Sequence, residues 1–259
     1  MEIRLVSGAY SALMLLGLSW ALWAVLAASN LVDVAGSWLE RDAFVSSVPL
    51  PGLLPWLGLM AALGLYAIWQ GIARWRLELH RRMRLWVLAV VLFNALWVLC
   101  LKQEMIGLSL LCGYVLLAIL IRIAIMIDRS FLVHQIDRWL TRACFGLFAG
   151  WLALIILAQT IAFVAIHHGD PNSLMFKGAT ALVLVLLALF LCAISFKNPI
   201  GIYLNAGALW VLVWIIIDRY TGRDSSPLFA TASLVAAILM LICLLSALRT
   251  RIRKILGSH

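Results

Sequence analysis

The amino-acid sequence predicts an all-α, polytopic integral membrane protein, and three observations predict it. Of 259 residues, 65% are hydrophobic and only 12% are charged, where soluble domains run about 45–50% and about 25%. Mean hydropathy is +1.08. The apolar residues also come in long runs without alternation, such as ALVLVLLALFL at Ala181–Leu191. Barrel strands alternate, and open strands leave backbone groups unpaired in lipid. A soluble domain, a disordered chain, a collagen-like fibre and a disulfide-rich scaffold are excluded by the same numbers.

A helix rising 1.5 Å per residue crosses about 30 Å of hydrocarbon in roughly 20 residues. Eight stretches meet this length. The first, Gly8–Ser29, is longer than a signal-peptide core and is followed by seven more spans, so it reads as retained. The longest loop follows, Asn30–Gly52, with Trp38, Pro49 and Pro51; it is either a lid or a solvated connector. The second span is Leu53–Ile72. The third, Leu85–Leu101, holds Asn94 near its middle, and the fourth is Met105–Ile127. The fifth, Ala143–Ile166, contains Gln159 and the Gly146…Gly150 pair. Gly178–Phe196, Ile200–Ile217 (just after Pro199) and Leu228–Leu248 complete the set.

Orientation follows from Lys and Arg. One set of helix ends carries Arg4, Arg74, Arg76, Arg81, Arg82, Arg84, Arg122, Arg129, Arg138, Arg142, Lys197, Arg249, Arg251, Arg253 and Lys254. The other carries Arg41, Lys102, Lys177, Arg219 and Arg223, among acids such as Asp33, Glu40 and Asp170. With eight spans this puts both termini on the cytoplasmic side of the inner membrane. The +9 net charge is then a topogenic and lipid-facing signal rather than a nucleic-acid footprint.

No Asp, Glu or Lys lies deep in a span, and Arg122 is close enough to an end to snorkel. Pumps and ion-coupled carriers place charges there. Zinc-helix, nucleophile-elbow and phosphate-loop motifs are absent, so no enzyme, metal site or cofactor is expected. Cys100, Cys112, Cys144, Cys192 and Cys243 lie singly in apolar runs and read as packing residues. His167 and His168 read as loop residues.

The informative polar residues are uncharged. Asn94 and Trp97 are three apart and share a helix face. Trp151 and Gln159 can line one broad face. Each amide must find a partner or face a cavity. Gly146-x-x-x-Gly150 permits close helix approach, within the chain or in a homodimer. Of 12 tryptophans, nine lie toward span ends, where an interfacial belt explains them. Trp38, Trp97 and Trp151 are explained least well that way. A ring with a donor N–H suits a flat, amphipathic ligand.

On these residues the chain resembles the tryptophan-rich sensory protein family, bacterial relatives of the translocator protein (peripheral benzodiazepine receptor), in its long form. Asn94 and Trp97 match the third-helix Asn-x-x-Trp; Phe145, Gly150 and Trp151 match the fifth helix, with Gln159 where the family has Asn. Trp56, Trp69 and Gln70 fit the second helix, Met60 stands for a common Tyr, and Cys144 for a common Pro. The match covers residues 8–166; beyond it rests on helix number. The resemblance implies a five-helix bundle over 1–168, a three-helix extension over 169–259, and a pocket beneath the first loop for porphyrins or other flat hydrophobic ligands. Trp38, Trp56, Asn94, Trp97, Trp151 and Gln159 would line it. No cofactor is implied beyond a tetrapyrrole ligand. A carrier of a small amphipathic solute and a non-catalytic scaffold subunit are the competing readings.

Overall fold

The computed structural model describes residues 13, 17, 55–72, 77–129, 135–168, 173–221 and 227–256. Seven helices are described: α1 Pro55–Ile72, α2 Leu77–Lys102, α3 Ile106–Asp128, α4 Gln135–His168, α5 Leu174–Lys197, α6 Pro199–Thr221 and α7 Pro227–Leu256. No strand occurs among the described residues. Helices α2–α7 are each long and apolar enough to cross a bilayer, and α1 is a shorter apolar helix. Many large apolar side chains face outward, among them Leu65, Leu111, Phe190 and Leu245. Water would not tolerate so extensive an apolar surface; lipid does. The protein is a multi-pass helical membrane protein. Of the expected first span only Leu13 and Gly17 are described, both helical, and a Cβ on Gly17 would lie 2.7 Å from Val91 of α2.

The helix ends follow from local chemistry. Helices α1, α6 and α7 each begin at a proline, whose fixed φ suits the first helical position and whose missing N–H is not needed there. Ser173 caps α5 by accepting from Phe176 N–H at 3.2 Å. At the other end of α5, Asn198 is extended, with φ −122° and ψ 140°, as a residue before proline must be. Thus α5 and α6 meet across a one-residue link. Helix α2 ends in a pair of reverse bonds: Met105 N–H to Cys100 O at 2.9 Å and Glu104 N–H to Leu101 O at 3.0 Å. This is the Schellman pattern, which needs a left-handed residue. Glu104 supplies it with φ 57°, where glycine would fit without the Cβ penalty.

Helix α4 is the hub. It packs against α1, α3 and α6, while α5, α6 and α7 pack on one another and α2 pairs with α3. The contact between α4 and α6 is the most extensive, and small residues explain it. A Cβ on Gly150 would fall 1.8 Å from the Leu204 carbonyl oxygen, and one on Gly207 would fall 2.2 Å from that of Leu147. Backbone lies on backbone here, as small-residue seams in membranes allow. Gly146 meets Tyr203 and Ile200 of the same helix. Of the two uses the Gly146–Gly150 stripe left open, the structure shows the one within the chain: α6 covers it.

Two further contacts tie neighbours together. Arg122 of α3 lies 6.0 Å from the Trp86 ring centroid on α2, so its charge is held over an aromatic face. The thiols of Cys100 and Cys112 meet across α2 and α3, and those of Cys192 and Cys243 across α5 and α7. All are free. Singly placed in sequence, they are paired in space.

Candidate functional site

Four apolar helices bring together a set of uncharged polar side chains that would each be costly alone. Asn94 on α2 is 1% exposed and Gln159 on α4 is 4% exposed. Trp56 Nε1 on α1 donates to Asn94 Oδ1 at 3.1 Å. An indole N–H can only donate, so it fixes the amide orientation and turns Asn94 Nδ2 toward Met60. That amide donates to Met60 Sδ at 3.4 Å, a weak acceptor. Trp97 Nε1 on α2 donates to Gln159 Oε1 at 3.2 Å. Gln159 Nε2 donates to Ser109 Oγ on α3, and Ser109 passes its own proton to Ile106 O at 2.8 Å.

The two amides thus have different standing. The Gln159 chain runs from an indole donor to a backbone carbonyl, with strong acceptors throughout. The Asn94 pair ends on a thioether. Aromatic contacts extend the Gln159 chain: Trp97 and Trp151 meet edge to face, with centroids 6.4 Å apart and planes at 90°. The Phe148 ring centroid lies 6.2 Å from that of Trp151, with the planes tilted by 45°. Tyr66 and Phe145 make a second edge contact at 5.0 Å, where α1 crosses α4.

Residues 54–246 match the family model described as TSPO-like protein, most of the chain. The chain belongs to the TSPO-like family. No curated protein and no solved structure matches it. Family membership bears out the resemblance drawn from Asn94, Trp97 and Trp151, and carries it through α5 and α6 into α7, where helix number was the main argument.

Of the residues expected at the TSPO-like site, Trp38 lies outside the described residues. Trp56, Asn94, Trp97, Trp151 and Gln159 are all buried and fall into two linked sets, Trp56 with Asn94, and Trp151, Trp97 and Gln159 in series. The spacing left the partners open, and the structure supplies them across helices: Asn94 bonds to Trp56 and Gln159 to Trp97. The helical repeat shows which residues share a face, not what that face meets. Sequence reasoning missed Ser109 as a partner, although a fully buried hydroxyl in an apolar span obeys the logic applied to Asn94. It noted Met60 only as a replacement for tyrosine.

A groove lies on the far side of Trp151. Helices α1 and α6 both pack on α4 but stay largely apart from each other, leaving a space of about 680 Å³. Its walls are Pro55, Gly58, Leu59 and Ala62 of α1; Leu140, Ala143, Cys144, Leu147 and Trp151 of α4; and Ala206, Gly207 and Trp210 of α6. Its volume is within the range of small-molecule sites. Trp151 therefore separates the polar cluster from an apolar groove. Among the described residues no group of three or more His, Cys, Asp and Glu is placed to hold a metal ion.

Proposed function

We propose that this TSPO-like protein binds and senses porphyrin-like or other flat hydrophobic molecules in the bilayer, with Trp56, Met60, Asn94 and Trp97 as the contact group and Trp151 behind it. The observation that carries the reading is the Asn94 amide. It is buried, held in orientation by Trp56, and among the described residues its N–H group meets only the Met60 sulfur. A ligand oxygen or ring nitrogen is a better acceptor than a thioether, so a ligand between α1 and α2 gains where the apo contact is weakest. The indole faces supply stacking area. The reading assigns binding rather than catalysis to these residues.

The same reading keeps Gly8–Ser29 as an eighth span with Trp38 in the loop above the site. It takes residues 1–168 as a five-helix bundle and 169–259 as its extension. Both termini lie on the cytoplasmic side of the inner membrane, on the strength of the Lys and Arg distribution.

Protoporphyrin quenching of tryptophan fluorescence in detergent tests it. Saturable quenching is expected, weakened by Asn94→Ala and by Trp151→Phe. If neither substitution alters the saturable component, this site is wrong. A scaffold role is the second reading, favoured by the Trp97–Gln159–Ser109 chain, which is complete without any ligand. It predicts no saturable quenching at all.

A further inference from the structure

The two buried amides differ in their balance of donors and acceptors, and the difference bears on which ligand the Asn94 site takes. Gln159 is balanced: Oε1 accepts from Trp97, Nε2 donates to Ser109, and the Ser109 hydroxyl donates onward to Ile106 O. Asn94 is not. Its Oδ1 accepts from Trp56 Nε1 at 3.1 Å. Its Nδ2 carries two hydrogens, and the acceptor they meet among the described residues is the Met60 sulfur at 3.4 Å. Asn94 is 1% exposed and Met60 2%, so neither is open to solvent. A carbonyl oxygen with one bond is satisfied; a buried amide N–H without a strong acceptor is not.

Trp56 fixes this excess of donors in place. An indole N–H donates and never accepts. Turning the Asn94 amide over would set Nδ2 against Trp56 Nε1, donor against donor, so the amide keeps its N–H groups toward Met60. Met60 is unbranched and adaptable, and its thioether is a weak acceptor. A ligand that brings a carbonyl oxygen therefore replaces a poor partner with a good one. A ligand that brings an N–H meets donors instead, and its own proton is left unpaired in an apolar span.

We infer that the Asn94 site selects flat hydrophobic carbonyl compounds over equally flat N–H donors, and that Trp56 is the positioning residue that sets this selectivity. The inference rests on the reading above that a ligand sits between α1 and α2. It narrows that reading to the chemistry of the ligand's edge, a conjugated ketone or quinone oxygen facing Asn94 Nδ2.

Three tricyclic probes of matched shape test it: 9-fluorenone, which only accepts; carbazole, which only donates; and fluorene, which does neither. Each is measured by equilibrium dialysis against the full chain in detergent, as saturable binding above protein-free micelles. Fluorenone is expected to bind about tenfold more tightly than carbazole, the effect of one buried donor left unpaired, with fluorene between them. Asn94→Leu should erase the order of the three. Trp56→Phe frees the amide to turn over, so carbazole should gain severalfold and the preference for fluorenone should collapse; a merely structural loss would weaken all three alike. Met60→Leu removes the competing sulfur and should tighten fluorenone severalfold, a second check should Trp56→Phe not fold. Equal affinities for fluorenone and carbazole, both reduced by Asn94→Leu, would overturn the selectivity and leave the ligand site standing. So would a fluorenone preference that survives Asn94→Leu, or no saturable probe binding while protoporphyrin quenching persists. Loss of probe binding and quenching together would remove the site itself.

Discussion

On one side of α4, Gln159 reaches across to Trp97 and Ser109 and joins three helices through side-chain hydrogen bonds. On the other, Gly146 and Gly150 let α6 lie so close that backbone touches backbone. The first interface is polar and directional; the second is apolar and depends only on shape. In lipid neither gains from the hydrophobic effect between helices, since the tails are as apolar as the side chains. The difference shows two ways for one helix to be held without it. Hydrogen bonds fix rotation and depth while leaving room for rings between the helices. A glycine seam fixes distance and leaves no room at all. A ligand site can lie between helices held in the first way, and beside the second only where a third helix stands apart, as at the α1–α4–α6 groove.

The comparison breaks most easily at the seam. Gly150→Leu puts a side chain where the Leu204 carbonyl stands, which backbone cannot evade. A loss above about 3 kcal/mol is expected, at the upper end of overpacking, seen as loss of a monodisperse peak in size-exclusion chromatography. Gly178→Leu, where a Cβ would meet nothing within 4 Å, should leave the peak intact. If Gly150→Leu is tolerated, the seam is not what holds α6.

The polar side should yield less. Gln159→Leu strands the Trp97 N–H and removes a partner of Ser109, for a loss of about 1–3 kcal/mol in thermal or denaturant stability. Asn94→Leu strands only the Trp56 N–H and should cost about 1 kcal/mol. Equal losses at the two positions would mean that the sulfur contact is worth as much as the hydroxyl one, and the ligand argument from Asn94 would lose its basis.

The smallest effect is the most specific. A double-mutant cycle with Trp97→Phe and Gln159→Leu should give a coupling of about 0.6–1.7 kcal/mol, the range of interhelical hydrogen bonds in membranes. Zero coupling would reduce the Trp97–Gln159 contact to proximity.

Much of the fold was legible because the bilayer sets one length and excludes other secondary structures. Six of the expected spans reappear as crossing helices, with Pro199 marking the start of α6. The residue types of the site were legible for a related reason: a buried Asn or Gln in lipid is conspicuous. Their partners were not. Pairing depends on how two helices rotate and slide against each other, and no spacing within one helix contains that. Trp56 shows the limit: its position near a span end suits an interfacial belt, yet it is 8% exposed and bonded inward to Asn94. Trp210 shows the converse, with 46% exposure beside a groove that no single helix reveals. The GxxxG stripe announced close approach but not with which helix.

The glycine seam also has a consequence for how the chain is made. Synthesis runs from the N-terminus, so α4 enters the bilayer before the helix that fills its stripe exists. Until α5 has been threaded back and α6 has arrived, Gly146 and Gly150 face lipid or whatever small-residue helix is nearest. A chain stopped after His168 would lack the helix that fills this stripe, so the seam is completed only when α6 has been made.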